Sequence, residues 1–208
     1  RLGHLDNSLN EAQPGRDEMR AALFEAPGQP LVIREVETPQ PLSTDLLVKV
    51  KNCGICGTDL HLSAVTDRSG GMAPLPGGAI MGHEFCGEVV EVGAQAPGGW
   101  HEGDRVCALP YIACGHCLEC LDGRGHRCRD AIFGGLGQLG GAYADYVRVG
   151  GAEALALPDG VDYQAGALVE PLSVGLHAVR AAQLKPGDAV LIVGAGPIGL
   201  AVALWCRF

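Results

Sequence analysis

Residues 189–206 read AVLIVGAGPIGLAVALWC, 18 positions without a charge. A stretch of that length invites a membrane reading, because about 18 consecutive apolar residues is where a spanning helix is first considered. Three glycines and a proline in an ordered pattern argue otherwise. VLIV (190–193) reads as a short buried strand, Gly194, Gly196 and Gly199 give G-x-G-x-x-G directly after it, and the apolar run that follows reads as a helix. Strand, glycine turn and helix in that order are the opening of a dinucleotide-binding unit. The first glycine permits a tight turn, the second lets the backbone approach a pyrophosphate, and the third allows close helix–strand packing. The pyrophosphate would rest on the helix N-terminus. Gly194, Gly196, Pro197, Ile198 and Gly199 are therefore the candidate cofactor-binding residues. The chain stops at Phe208, short of the roughly 30 residues of one βαβ unit, and reads as cut off inside that helix. The residue that separates NAD from NADP falls about 20 residues past the glycines, outside this sequence.

Upstream the pattern changes. LKPGD (184–188) is a turn, and before it Leu172, Leu176, Val179 and Gln183 share one helical face, with Pro171 in its first turn. Between residues 31 and 157 the chain is β-rich. LVIREV (31–36), DLLVKV (45–50), CGEVVEVG (86–93), DRVCAL (104–109), AYADYVRV (142–149) and ALAL (154–157) are short runs separated by Gly, Pro and Asp. Several short strands of this kind predict a compact barrel-like domain. The expected division is an N-terminal extension at 1–18 without a core role, a catalytic domain at 19–182 and the start of a cofactor domain at 183–208.

With 47% hydrophobic and 19% charged residues, the 208-residue chain has material for a sizeable core. Its formal charge of -9 opposes phosphate backbones and anionic membrane surfaces, so neither nucleic acid nor a membrane is an expected partner. Residues 1–18 are polar and lack the apolar core of a signal peptide, and the cysteines are too few for a disulfide scaffold, so a reducing, cytoplasmic setting is expected.

Four of the nine cysteines lie in YIACGHCLECLDGRGHRC (111–128) as C-x2-C-x2-C-x7-C: Cys114, Cys117, Cys120 and Cys128. Four thiolates on a glycine-rich loop suit a closed tetrahedral zinc, with no position open to substrate, bracing a lobe (111–130) that lacks its own core. Iron–sulfur ligation is the competing reading. Bridges among the first three cysteines would constrain little. A second, open site can be assembled from CGICGTDLH (53–61), GHEFCGE (82–88) and VEPLSVGLH (169–177). Cys56, His83 and Glu170 would offer a thiolate, an imidazole and a carboxylate, leaving the fourth position for water or an alcohol oxygen whose pKa the metal lowers. Cys53, Cys86, Cys107 and Cys206 sit in apolar or strand-like surroundings and read as buried small hydrophobes.

Taken together and in this order, GICGTDLH, GHE, the four-cysteine lobe, EPLSVGLHAV and VLIVGAGPIGL resemble the zinc-dependent medium-chain alcohol and polyol dehydrogenases, from about Met19 to Phe208. The resemblance implies a GroES-like β-barrel catalytic domain followed by the start of a Rossmann domain, hence a mixed β and α/β fold. It implies one catalytic and one structural zinc, NAD or NADP, and oxidation of a secondary alcohol, polyol or hydroxy amino acid to its carbonyl. It also implies a homo-oligomer for the full-length form. By resemblance Cys56 and His83 are catalytic zinc ligands and Glu84 is the adjacent carboxylate that approaches or ligates the metal. Glu170 stands where some relatives carry a cysteine, which points to the sorbitol and threonine dehydrogenase side; it either touches the zinc or holds its water. Thr58 matches the hydroxyl that takes the alcohol proton, and His61 the group that passes it toward solvent, as hydride loss from the carbon requires. A helix N-cap is the other reading of Thr58. Asp59 would orient the His83 ring. Gly57 departs from relatives with a basic residue there, so a contact to the cofactor phosphate is absent or supplied elsewhere. Two rivals stand beside this reading: a catalytically silent zinc-binding fragment, and a zinc-free quinone-reductase-like relative, which would leave Cys56, His83 and the lobe without a purpose.

Overall fold

The computed structural model describes residues 17–67 and 73–208. Among these residues ten strands and five α-helices alternate unevenly, with β structure dominating up to residue 156 and helices after it. β1 (Glu18–Phe24) pairs antiparallel with β2 (Val32–Glu37) in a continuous register from Glu18↔Glu37 to Leu23↔Val32, and on its other side with β4 (Ala79–Ile80). A five-stranded antiparallel sheet carries the main core. Its order is β10 (Ala154–Ala156), β6 (Arg105–Ala108), β5 (Phe85–Val92), β3 (Asp45–Cys53) and β9 (Tyr146–Gly150). Leu46, Val48, Phe85, Val89, Val106, Val147 and Val149 interlock between these strands and are almost fully removed from water. Residues 141–145 stitch the two sheets together. Tyr143 N–H donates to Met81 C=O (2.9 Å), Ala22 N–H to Tyr143 C=O (2.8 Å) and Asp145 N–H to Arg20 C=O (3.0 Å).

The six strand segments read from the sequence all appear, DRVCAL and ALAL trimmed by a residue at their ends and one cut by half. AYADYVRV (142–149) is a strand only from Tyr146, because its first half is occupied with the sheet-to-sheet bonds just described. β1 starts at Glu18, and Thr38 N–H donates to Asp17 C=O (3.0 Å), so the last residue of the expected extension belongs to the sheet and the one before it is bonded to its edge. Residues 1–16 of that extension lie outside the described residues.

The lobe is a loop closed at its base by β7 (Tyr111–Ile112) pairing with β8 (Ile132–Phe133), with the Tyr111 and Phe133 rings 6.1 Å apart. Inside it lie α2 (Leu118–Leu121) and a single helical turn at Gly125–Arg127. After α3 (Tyr163–Gly166), α4 (Val169–Ala181) carries the expected apolar face through Pro171, Leu172, Gly175, Leu176 and Val179. Gln183 is not part of that face: it lies beyond the helix with φ 51° and is exposed. α5 (Pro197–Trp205) packs on α4, with Gly175 against Ala201 and Trp205 Nε1–H donating to Leu172 C=O (2.8 Å). The run 190–193, read as a buried strand, is neither strand nor buried; Leu191 and Val193 are 88% and 91% exposed. A strand needs a neighbouring backbone edge to pair with, and none of the described residues offers one here. No helix among the described residues is long and apolar enough to cross a membrane.

Candidate metal centres and cofactor turn

A short helix sets up the first centre. In α1 (Gly57–Leu62) the N-cap is Cys56, not Thr58: Thr58 N–H donates to Cys56 Sγ (3.4 Å), while Cys56 N–H donates to Asp59 Oδ2 (3.1 Å). This reciprocal capping box fixes the thiol and the carboxylate relative to one another. His83 and Glu84 arrive from the other side, in the turn between β4 and β5, just after Gly82, whose φ of +93° suits glycine. The thiol of Cys56, the imidazole of His83 and the carboxylate of Glu84 place one ligand atom each within 4.8 Å of one another.

Behind this trio lies Asp59, 2% exposed. Its Oδ1 faces His83 Nδ1 at 3.4 Å, long for a hydrogen bond, but both atoms are buried and find no other partner among the described residues. Oδ2 accepts from Tyr143 O–H (2.8 Å) as well as from Cys56 N–H. Burial alone would raise the Asp59 carboxyl, yet the hydrogen bonds from His83 and Tyr143 outweigh it and hold it below the usual range. The hydrogen bond with Asp59 prevails over burial at His83 and lifts its imidazole to about 9. With Nδ1 turned to Asp59, Nε2 is the nitrogen left for a ligand's role, the arrangement that metal-binding histidines use. A thiolate, an imidazole and a carboxylate around one point, with a carboxylate behind the ring, fit a zinc ion.

Glu170, second residue of α4, is not in the trio. Burial raises its carboxyl, and His83, Glu84 and Asp59 each act on it electrostatically, so it borders the same centre. Thr58 and His61 lie three apart on α1 and so share a face, Thr58 half-buried and His61 exposed. Two contributors escaped the sequence reading. Tyr143 sits in a run legible only as strand, although a half-buried tyrosine needs a partner for its hydroxyl, and that demand is a signal in itself. Gly54 N–H donates to Glu84 C=O (2.7 Å), and a Cβ at Gly54 would strike the Glu84 carboxylate. Cys53, its thiol pushed up to about 12 mainly by burial, stays a core thiol, as do Cys86 and Cys107, which pair in register on β5 and β6.

In the lobe, Cys114, Cys117, Cys120 and Cys128 converge so that their sulfurs lie within 4.8 Å of one another. Cys117 and Cys120 are 3.4 Å apart and Cys114 and Cys120 3.8 Å. Four sulfurs about 2.3 Å from one tetrahedral metal stand about 3.8 Å apart, whereas a cluster binding each thiolate to a different iron spreads them further, so the spacing fits a single ion. Backbone N–H groups of His116 and Cys117 around Cys114 lower its thiol to about 6.

At the glycine turn, Gly194 takes φ +106°, Gly196 is the N-cap of α5 and Pro197 its first residue. A Cβ on Gly199 would collide with the Gly194 carbonyl oxygen, so the third glycine is required by close packing. Pro197 has no N–H and contributes its fixed φ; Ile198 and Gly199 carry the free amides of the first turn.

The model of the alcohol dehydrogenase GroES-like domain matches residues 43–159. The chain belongs to that family. The match spans the five-stranded sheet, α1, the His83–Glu84 turn and the lobe, all within the GroES-like domain. The chain is 42% identical over 176 residues to L-galactonate-5-dehydrogenase of Escherichia coli (strain K12), covering 83% of this chain and 48% of that protein. It is 39% identical over 173 residues to L-threonine 3-dehydrogenase of Aeromonas hydrophila, covering 83% and 49%. A solved structure from Sinorhizobium meliloti 1021, described as a zinc-binding dehydrogenase and bound to NADP, superposes with a TM-score of 0.78 at 39% identity, covering 91% of this chain and 53% of that one. The chain thus spans about half the length of these relatives. The GroES-like barrel with its helical continuation is the mixed β and α/β fold expected from the sequence.

Proposed function

We propose that this chain carries the catalytic centre of a zinc-dependent NAD(P) oxidoreductase that oxidises a secondary alcohol, polyol or hydroxy amino acid to its carbonyl. The observation that carries the reading is the convergence of Cys56, His83 and Glu84 with Asp59 behind the histidine. Zinc held there would supply Lewis-acid polarisation of the substrate oxygen. The chain's own residues do the rest. Asp59 fixes the His83 ring and its tautomer, Glu84 and Glu170 bring carboxylates to the same centre, and Thr58 and His61 provide a path for the hydroxyl proton from the half-buried side of α1 to water. The lobe cysteines hold a second, structural zinc. The glycine turn at 194–199 receives the pyrophosphate of the dinucleotide, and the division at 182/183 separates catalytic from cofactor residues. The relatives named for L-galactonate and L-threonine support a small, polar, hydroxylated substrate.

A second reading has its own observation. The unpaired, exposed run at 190–193 favours a zinc-binding module that is catalytically silent as it stands. Reduction of NAD or NADP by the zinc-loaded chain, offered a panel of polyols and hydroxy amino acids, separates the two. The first reading predicts turnover that Cys56→Ser abolishes; absence of turnover with every alcohol, at full zinc occupancy, selects the silent module.

A further inference from the structure

Tyr143 is not one of the residues that converge on the first centre, yet three features tie it to them. Its hydroxyl donates to Asp59 Oδ2 at 2.8 Å and lies 3.3 Å from Gly54 C=O, whose residue also contacts Glu84. Its ring fills the space beside Gly82, so that a Cβ at that position would run into the Tyr143 ring, and Gly82 directly precedes His83. Its backbone is pinned on both sides, by the bond from its N–H to Met81 C=O and by the bond from Ala22 N–H to its carbonyl. A side chain anchored in this way cannot follow the carboxylate; the carboxylate must follow it.

We infer that Tyr143 is a positioning residue for the His83 ligand, acting through Asp59 and resting on the metal-centre reading above. The Asp59 carboxylate has two oxygens and three donors around it. Cys56 N–H alone would leave it free to pivot about that single bond, carrying Oδ1 away from His83 Nδ1. The Tyr143 hydroxyl supplies the second fixed donor to Oδ2 and so sets the plane of the carboxylate. That plane decides where Oδ1 meets the imidazole, and the imidazole direction decides where Nε2 points. The 84-residue separation of Asp59 and Tyr143 makes this a tertiary device, closed only when the segment 141–145 joins the two sheets.

The test is zinc affinity at the first centre, read by competition with a chromophoric chelator on the purified chain with the lobe already filled. Tyr143→Phe keeps the ring against Gly82 and removes only the hydroxyl. It should weaken zinc binding at the Cys56–His83 centre about tenfold, the lower end of what losing a metal site's outer partners costs, while the lobe zinc stays bound. In an Asp59→Asn background, the same change should alter affinity by less than about twofold, because the oxygen facing His83, through which it acts, is gone. An unchanged affinity in Tyr143→Phe, or an equal loss in both backgrounds, overturns the inference. A parent chain that takes up zinc only in the lobe overturns the metal-centre reading along with it, whereas tight second-site binding unaffected by Tyr143→Phe overturns this role alone.

Discussion

Replacing Asp59 by asparagine tests the geometry behind His83 with almost no change in volume. The carboxylate serves Cys56 N–H and Tyr143 O–H through Oδ2 and faces His83 Nδ1 through Oδ1. Asparagine has only one acceptor oxygen, and the two donors around Oδ2 recruit it. The amide NH2 then faces His83 Nδ1, so the imidazole must accept there and carry its proton on Nε2, the nitrogen a metal needs. Folding is little affected, since each buried donor at Oδ2 keeps its acceptor. Zinc affinity at the Cys56–His83 centre should fall about 10- to 100-fold, or about 1.4–2.7 kcal/mol, while the lobe zinc is untouched. Asp59→Ala behaves differently, because it strands two donors that are at least half-buried together with His83. At about 1–3 kcal/mol per stranded group, a loss of about 3 kcal/mol or more is expected, which lowers Tm by about 6–12 °C in a chain of this size. Chelator competition and thermal melts of both variants provide the assay. Asp59→Asn with wild-type zinc affinity would refute the tautomer argument, and equal melting of Asp59→Ala and wild type would refute the claim that this carboxylate is a structural acceptor.

Gly54→Ala should push the Glu84 carboxylate out of its place, weakening zinc binding at the first centre several-fold and lowering Tm, as a Cβ at this position meets that side chain directly. Gly199→Ala forces a Cβ into the Gly194 carbonyl oxygen, so it should cost about 1–3 kcal/mol in a denaturant melt and at least tenfold in NAD(P) affinity by calorimetry. Leu191→Lys and Val193→Lys, at positions 88% and 91% exposed, should leave Tm unchanged within the ±0.5 kcal/mol typical of surface substitutions and reduce self-association in sedimentation.

What the sequence revealed follows the range of the interactions involved. Cys114, Cys117, Cys120 and Cys128 lie within 15 residues, so local spacing alone brought the cluster into view. Cys56 and Asp59 are one helical turn apart, and their shared capping role was hidden only because a thiol is an unusual cap. His83 and Glu84 were legible as a motif, but the meeting with Cys56 depends on two strands and a glycine turn. Tyr143 and Gly54 were invisible because their partners stand 84 and 30 residues away, and a tyrosine in a β-rich run looks the same whether its hydroxyl meets water or a carboxylate. The opposite failure occurred at 190–193, where β-branched, apolar residues promised a strand and no edge was there to receive it; propensity describes a residue's fit to a sheet, not the presence of one.

Zinc content per chain, measured by elemental mass spectrometry on protein purified without added metal, addresses the central claim most directly. Two zincs are predicted, falling to one in Cys56→Ser and to one in Cys117→Ser, because the two centres share no residue. A single zinc, lost in Cys117→Ser and indifferent to Cys56→Ser, would contradict the account by leaving Cys56, His83 and Glu84 without a metal to hold.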